Sequence, residues 1–186
     1  MDQTLSHQMT AEDLASLPSG MGKRYELVEG ELVEMAAAGG KHGHVAGNFL
    51  GRVFAYLENN PIGQVLTAET GFYTRGDENT VRAPDMAFIR SEQIPESGIP
   101  DGYLHIIPDL VVEVVSPTDR AAEVEQKVQE WLTFGVRLVW VAYPSTQRVM
   151  AYQAGLTNVA ILNERDALDG RDVLPGFSQK AGVFFK

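Results

Sequence analysis

Two short segments of this sequence each place one carboxylate where a strand would normally hold an apolar side chain. The first is RAPD, residues 82–85, which leaves a turn-prone stretch and enters an apolar run. The second is DLVVEVV, residues 109–115, in which Glu113 shares one strand face with valines. A carboxylate among buried apolar residues costs free energy unless it is paired or binds a metal. We therefore predict that Asp85 and Glu113 belong to a functional site.

These two carboxylates can converge on one divalent cation if their strands are neighbours. Mg²⁺, or Mn²⁺ in its place, suits such a pair because it takes oxygen ligands and usually retains several waters. The ion would polarise a phosphate and lower the pKa of a bound water that attacks phosphorus. Taken singly, Asp85 has the simpler alternative of a turn residue after Pro84, and Glu113 that of an edge-strand glutamate facing water.

Lys127 is the candidate for a third catalytic residue. It lies on the predicted helix after Glu113, and the helical wheel puts it inside the apolar arc, beside Trp131. A lysine in that arc needs a counter-charge, which Glu113 and Asp85 would supply. It would orient the attacking water and stabilise charge in the transition state. The alternative, in which Lys127 reaches solvent or pairs with Glu123 one turn earlier, stays about equally open.

Five further residues are candidate additional members of the site: Glu29, Glu31, His42, His44 and Glu69. The two histidines open a glycine-rich helix start and could contact a phosphate there, although a cap or surface position is favoured. Each glutamate could add a third carboxylate, but a solvent-facing strand residue is the simpler interpretation. Trp131 and Trp140 are interpreted as core residues.

The secondary-structure elements that position these residues follow from the sequence pattern. We predict a short helix that Thr10 caps and Pro18 stops, a hairpin over 25–35, and a helix over 42–59. A second long helix should end near Phe134. Strands are predicted over 64–73, 80–89, 110–115, 136–142 and 148–153, with a long loop over 91–108. The organisation is one α/β (α+β) domain, residues 24–186, after a helical or irregular extension, residues 1–23.

The composition limits the functions that this chain can have. The absence of cysteine excludes disulfides, zinc-thiolate sites and cysteine nucleophiles. No apolar run resembles a signal peptide or a spanning helix, so we expect a cytoplasmic protein without membrane contact. The 25 acidic and 15 basic residues give a net charge of −10. That charge argues against general electrostatic attraction to DNA, which usually requires a basic protein.

At the level of whole motifs the sequence resembles the PD-(D/E)XK nuclease superfamily, and more closely the bacterial Uma-two family of restriction endonuclease-like proteins. The matching pieces are YELVEGELVEM, the helix start at His42 to His44, VRAPDMAFI, PDLVVEVVSP, Lys127 and FGVRLVWVAYP, in the family's order. The resemblance implies a restriction-endonuclease-like core, a central mixed β-sheet flanked by helices in αβββαβ order with an N-terminal hairpin. It also implies Asp85 and Glu113 as metal ligands.

The superfamily's lysine stands two residues after the acid, where this sequence has Val115. The resemblance would pass its role to Lys127. We therefore expect a Mg²⁺- or Mn²⁺-dependent endonuclease that hydrolyses DNA phosphodiesters, and a homodimer, because symmetric dimers cut two strands most easily. The alternative is a catalytically inactive nuclease-fold protein that acts as a binding or structural oligomeric module. The net charge and Val115 favour that alternative.

Overall fold

The computed structural model describes residues 8–17, 24–35, 37–76 and 78–186. The α-helices are α1 (Ala11–Ala15), α2 (Gly40–Asn59) and α3 (Ala121–Phe134), and short 3₁₀ helices span Ser91–Gln93 and Ala181–Phe185. The strands are β1 (Arg24–Val28), β2 (Glu31–Met35), β3 (Gly63–Thr67), β4 (Phe72–Tyr73), β5 (Val81–Arg82), β6 (Met86–Arg90), β7 (Leu110–Val114), β8 (Leu138–Tyr143), β9 (Arg148–Gln153), β10 (Ala160–Leu162), β11 (Ala167–Asp169) and β12 (Ser178–Lys180).

A mixed sheet forms the centre of the protein. Within the described residues it has six strands in the order β10-β9-β8-β7-β6-β3. Strands β7 and β8 run parallel and α3 connects them, whereas the neighbouring pairs are antiparallel. Both central strands are buried along nearly their whole length, as their continuous apolar sequences predict. The predicted mixed α+β fold with a central sheet is therefore confirmed.

Each face of this sheet packs against one long helix. Helix α2 buries Val45, Phe49 and Val53 on one face, together with Leu110, Val112 and Val114 of β7. Helix α3 buries Val128 and Trp131 on the other face, where Val111 lies. The predicted alternation of β7 is confirmed, and it directs Glu113 to the α3 side of the sheet. None of the helices in the described parts of the chain is long and apolar enough to span a bilayer.

Two predicted strands are each divided in the structure. The strand expected over 64–73 separates into β3 and β4, and that over 80–89 into β5 and β6. Gly71 marks the first break, since a Cβ there would come within 2.5 Å of the Tyr103 ring. Pro84 lies in the second break and cannot donate a ladder hydrogen bond. Strands β4 and β5 therefore leave the central sheet and join the hairpin in a second sheet, ordered β2-β1-β5-β4.

The predicted hairpin and the first helix are both present. Strands β1 and β2 pair antiparallel, and Thr10 caps α1 with a reciprocal capping box from Asp13. Ala11 and Leu14 of α1 pack on Leu27 of the hairpin. The described part of the segment 1–23 thus packs against the second sheet. The rest of that segment, including Pro18, lies outside the described residues, and the domain boundary at residue 24 stays a prediction.

The C-terminal segment contributes more to the core than its polar sequence suggested. Phe184 stacks on Phe49 of α2 with ring centroids 4.0 Å apart, and Leu168, Leu174 and Phe177 are buried around it. Leu174 to Phe177 forms a turn, in which the backbone N–H of Phe177 donates to the carbonyl of Leu174. This segment therefore packs on the α2 side of the sheet.

Candidate functional site

Glu113 lies on β7 and Asp85 immediately precedes the neighbouring strand β6, which meets the condition under which the two carboxylates could converge. Strands β6 and β7 pair antiparallel with Met86 opposite Val112, so the next residues along are Asp85 and Glu113. The backbone N–H of Val114 donates to Oδ2 of Asp85 at 2.7 Å. This hydrogen bond fastens the residue before β6 to the end of β7. The pairing register places residue 85 opposite Glu113, and directly opposed residues share one face of a sheet.

Glu113 is buried and fully engaged by α3. Its Oε1 accepts the indole N–H of Trp131 at 2.8 Å, and its Oε2 lies 3.1 Å from Nζ of Lys127. Burial raises the pKa of Glu113, and the nearby charges of Asp85 and Glu26 add to this effect. Together they outweigh the opposing influence of Lys127 and place the pKa at about 7.

Lys127 points into the protein and bridges two glutamates. Besides Glu113, its Nζ contacts Oε1 of Glu26 at 3.0 Å, and only 17% of its side chain is exposed. Burial opposes the charge on Lys127, but Glu113 and Glu26 together raise its pKa above the ordinary value. Helix α3 ends two turns later at Gly135, whose φ of +113° suits a left-handed cap. Within the described residues Lys127 therefore pairs with Glu113 and Glu26 instead of Glu123.

Glu26 is a site residue that the sequence reasoning missed. It lies on β1 and is 2% exposed. Its Oε2 accepts from Nη1 of Arg82 at 2.9 Å, and its Oε1 accepts the backbone N–H of Ala83 at 3.0 Å. Burial would raise the pKa of Glu26, but Lys127 and Arg82 outweigh it and lower that pKa. One feature of the sequence could have indicated its burial: Glu26 stands within the strand, between Tyr25 and Leu27, whereas Glu29 and Glu31 lie at the hairpin turn.

A second layer of ion pairs surrounds Glu26. Nε and Nη2 of Arg82 contact Oε2 of Glu130 on α3 at 2.8 and 2.6 Å. Arg75 contacts the same Glu130 at 3.7 Å and also binds Glu29. Because Arg82 is 8% exposed and bound to two carboxylates, it belongs to the interior network. It is not available as a surface contact for a polyanion.

His42 approaches Asp85 from the first turn of α2. Its Nε2 lies 3.2 Å from Oδ2 of Asp85, and its side chain is 14% exposed. The hydrogen bond to Asp85 raises the pKa of His42, and it outweighs the lowering effect of burial. The favoured interpretation of His42 was a cap or surface residue: it does lie in the first turn of α2, but its side chain is mostly buried against Asp85. His44, in contrast, is exposed and contacts Asn48 one turn along the helix.

The three additional glutamate candidates do not join this cluster. Glu29 is exposed and binds Arg75, while Glu31 and Glu69 are exposed on the hairpin and in the turn after β3. The residues that the structure brings together are thus Asp85, Glu113, Lys127 and His42 of the predicted set. Glu26 and Trp131 complete the cluster.

The side chains permit a metal site of the kind that needs only two protein ligands. In the described parts of the chain no group of three or more histidine, aspartate or glutamate side chains is arranged to hold a metal. Mg²⁺, however, is often bound by one or two carboxylates, with waters and substrate phosphate completing the shell. The contacts of Asp85 with described residues fall on Oδ2, and the charge of Asp85 contributes to the raised pKa of Glu113. A divalent cation fits this donor set.

Comparisons with known proteins identify relatives of the fold and of the sequence. A family model described as "Uma2: Putative restriction endonuclease" matches residues 11–182. A crystal structure of a putative nuclease belonging to DUF820 from Anabaena variabilis superposes with a TM-score of 0.80. It is 20% identical and the match covers 95% of this chain and 97% of that one, so it supports the fold alone. Among curated proteins, none matches this sequence.

Proposed function

We propose, from the premise that this chain belongs to the Uma2 family of putative restriction endonucleases, that it is a metal-dependent nuclease acting on DNA phosphodiesters. The observation that supports this most strongly is the meeting of Asp85, Glu113 and Lys127. Asp85 precedes β6 opposite Glu113 on β7, and Lys127 of the helix packed over this face contacts Glu113. Two carboxylates and an ammonium group in one partly buried site are suited to phosphoryl transfer.

In this proposal Asp85 and Glu113 hold Mg²⁺ or Mn²⁺. When bound, the ion would supply Lewis-acid polarisation of the phosphate and an activated water. Lys127 offers an ammonium group that stabilises negative charge on the phosphate oxygens. Trp131 holds the carboxylate of Glu113 in place, and His42 does the same for Asp85. The protein's contribution is to fix these groups before substrate arrives.

DNA is the proposed substrate, and the proposed location is the cytoplasm. The net charge of −10 means that binding must depend on a local surface, since the overall field repels a polyanion. We propose the start of α2 as such a surface, because exposed Lys41 directly precedes His42, which contacts Asp85. The loop over 91–108 is proposed to shape the groove. A shallow dependence of affinity on salt is expected from so few cationic contacts.

A homodimer is proposed as the active form, with β10 as its contact. This strand is one of the two edges of the central sheet as described, and Leu156, Val159 and Ile161 around it are all at least 39% exposed. The sequence from Arg148 to Glu164 contains no charged residue between those two, in a strongly acidic chain. An unprotected edge strand pairs readily with a strand from another chain. Antiparallel pairing with its own copy closes a two-fold dimer.

The alternative is an inactive binding or structural oligomeric module on the same fold. Lys127 and Arg82 are both neutralised by internal carboxylates, and the overall charge opposes DNA binding. An interaction module would keep such a network for conformational specificity and would be indifferent to metal. Metal dependence therefore separates the two functions.

The deciding experiment is Mn²⁺ calorimetry on wild type, Asp85→Asn, Glu113→Gln and the exposed control Glu58→Gln. The nuclease proposal expects binding in wild type and Glu58→Gln, and loss in both site variants. Cleavage of supercoiled plasmid with Mg²⁺ or Mn²⁺ should then follow the same pattern. If wild type binds no Mn²⁺, the metal-dependent mechanism is wrong and the module becomes the better proposal.

A further inference from the structure

The lysine of this site has an unusual origin, because a helix supplies it instead of the acid-bearing strand. Lys127 follows Glu113 by 14 residues, and Val115 occupies the position two residues after the acid. A lysine on the strand would be held by the sheet itself, since the backbone of β7 is hydrogen-bonded on both sides. A flexible lysine side chain from α3 lacks that constraint. It must be fixed by its contacts.

The Glu113 carboxylate cannot bind Lys127 and a divalent cation equally well at the same time. Oε2 of Glu113 lies 3.1 Å from Nζ of Lys127, and Glu113 is also a proposed ligand of the divalent cation. A cation bound at Glu113 draws on the same carboxylate and repels the ammonium group. Without another anion Lys127 would then be a buried cation with a weakened partner, which is costly.

Glu26 is the other anion, and its position does not depend on Glu113. It lies 3.0 Å from Nζ of Lys127, and it is held from the opposite side by Arg82 and by the backbone N–H of Ala83. Ala83 is two residues before Asp85, so the Glu26 carboxylate also stabilises the turn that leads to Asp85. Glu26 therefore connects the hairpin to both halves of the site.

We infer that Glu26 is the positioning residue of Lys127. It holds the ammonium group in the site while Glu113 binds the cation, and it replaces the constraint that the strand would give a lysine at position 115. This inference rests on the proposed nuclease function for its catalytic consequence. Its structural content, the retention of Lys127 by Glu26, does not depend on that function.

The catalytic test is a double-mutant cycle with Glu26→Gln, Lys127→Gln and the combined variant, measured by plasmid cleavage. If Glu26 acts through Lys127, Glu26→Gln should lower kcat by about 10²-fold with little change in KM. It should have no further effect in the Lys127→Gln background. Independent, multiplicative losses would overturn the inference. The exposed variant Glu58→Gln controls for the loss of one charge. If Glu26→Gln does not fold, Glu26→Asp keeps the charge and shortens the reach.

A second readout needs no activity. Amine labelling followed by mass spectrometry compares Lys127 with the exposed Lys41, Lys180 and Lys186 as references. With and without Mn²⁺, Lys127 should stay protected in wild type and become several-fold more reactive in Glu26→Gln, while the references are unchanged. Unchanged protection in Glu26→Gln would overturn the inference. If wild type never cleaves DNA but shows this labelling pattern, the nuclease proposal is refuted and the retention of Lys127 by Glu26 is supported.

Discussion

Trp131 donates its indole N–H to Oε1 of Glu113 at 2.8 Å, although an ordinary core position was expected for this tryptophan. The other tryptophan, Trp140, is equally buried, yet its Nε1 has no hydrogen-bond partner among the described residues. One large aromatic residue thus binds a buried carboxylate, and the other makes no side-chain hydrogen bond to the described residues. Substitution of each tryptophan by phenylalanine therefore separates the contribution of the hydrogen bond from that of core packing.

Trp131→Phe should destabilise the protein more than Trp140→Phe does. Both variants remove the same atoms from a buried site, but only the first leaves a carboxylate oxygen without its donor. Above the Glu113 pKa of about 7 this carboxyl is ionised, and a hydrogen bond to a charged group contributes about 1.5–3 kcal/mol, so the difference between the two free energies of unfolding should fall in that range there. Urea denaturation measures both. Equal losses would mean that the indole N–H contributes nothing to the site.

Glu113 should make the stability of the metal-free protein depend on pH. Its pKa is about 7 in the folded protein and near 4.5 when unfolded, so the folded state binds more protons in this window. The stabilisation is complete below the unfolded value and is lost as pH rises through the folded value. With EDTA present, the free energy of unfolding of wild type relative to Glu113→Gln should fall by about 3 kcal/mol between pH 4.5 and 7.5. If urea denaturation gave free energies of unfolding for wild type and Glu113→Gln that change in parallel with pH, this prediction would be contradicted.

Much of the site could be predicted because its geometry is periodic. Alternation along β7 puts Glu113 on the α3 face, and the 3.6-residue repeat puts Lys127 opposite it. Spacing left the partner of Lys127 open between Glu113 and Glu123, and in the structure its Nζ lies 3.1 Å from Oε2 of Glu113. His42 was harder to predict, since a helix start shows no periodicity and its contact with Asp85 comes from long-range packing.

Glu26 and the divided strands could not be obtained in the same way. Glu26 is one of several glutamates in an alternating hairpin, and which face is buried depends on α3 and β5, far along the chain. The segment 64–73 has strand-like residues throughout, but Gly71 must fit against Tyr103, a contact that periodicity does not encode. The C-terminal segment was similarly obscured because its few apolar residues are spaced irregularly.

Arg82 should be essential to folding stability, in contrast to an exposed arginine. Arg82→Leu leaves Glu26 and Glu130 buried with one fewer counter-charge, and removing one partner of a buried ion pair costs about 3–5 kcal/mol. Arg120→Leu is the control, since that side chain is 83% exposed and its pair with Glu123 should contribute less than about 1 kcal/mol. Urea denaturation compares them. A loss in Arg82→Leu no larger than in Arg120→Leu would show that the network does not stabilise the fold.

Ile161→Lys should convert the proposed dimer to a monomer. Ile161 is 54% exposed on the edge strand β10, and lysine on an edge strand opposes pairing with a second chain. Phe54→Lys is the matched control, because Phe54 is 58% exposed on α2, away from that edge. Sedimentation equilibrium should give a dimer for wild type and Phe54→Lys and a monomer for Ile161→Lys. A monomeric wild type, or a dimer that survives Ile161→Lys, would exclude β10 as the contact.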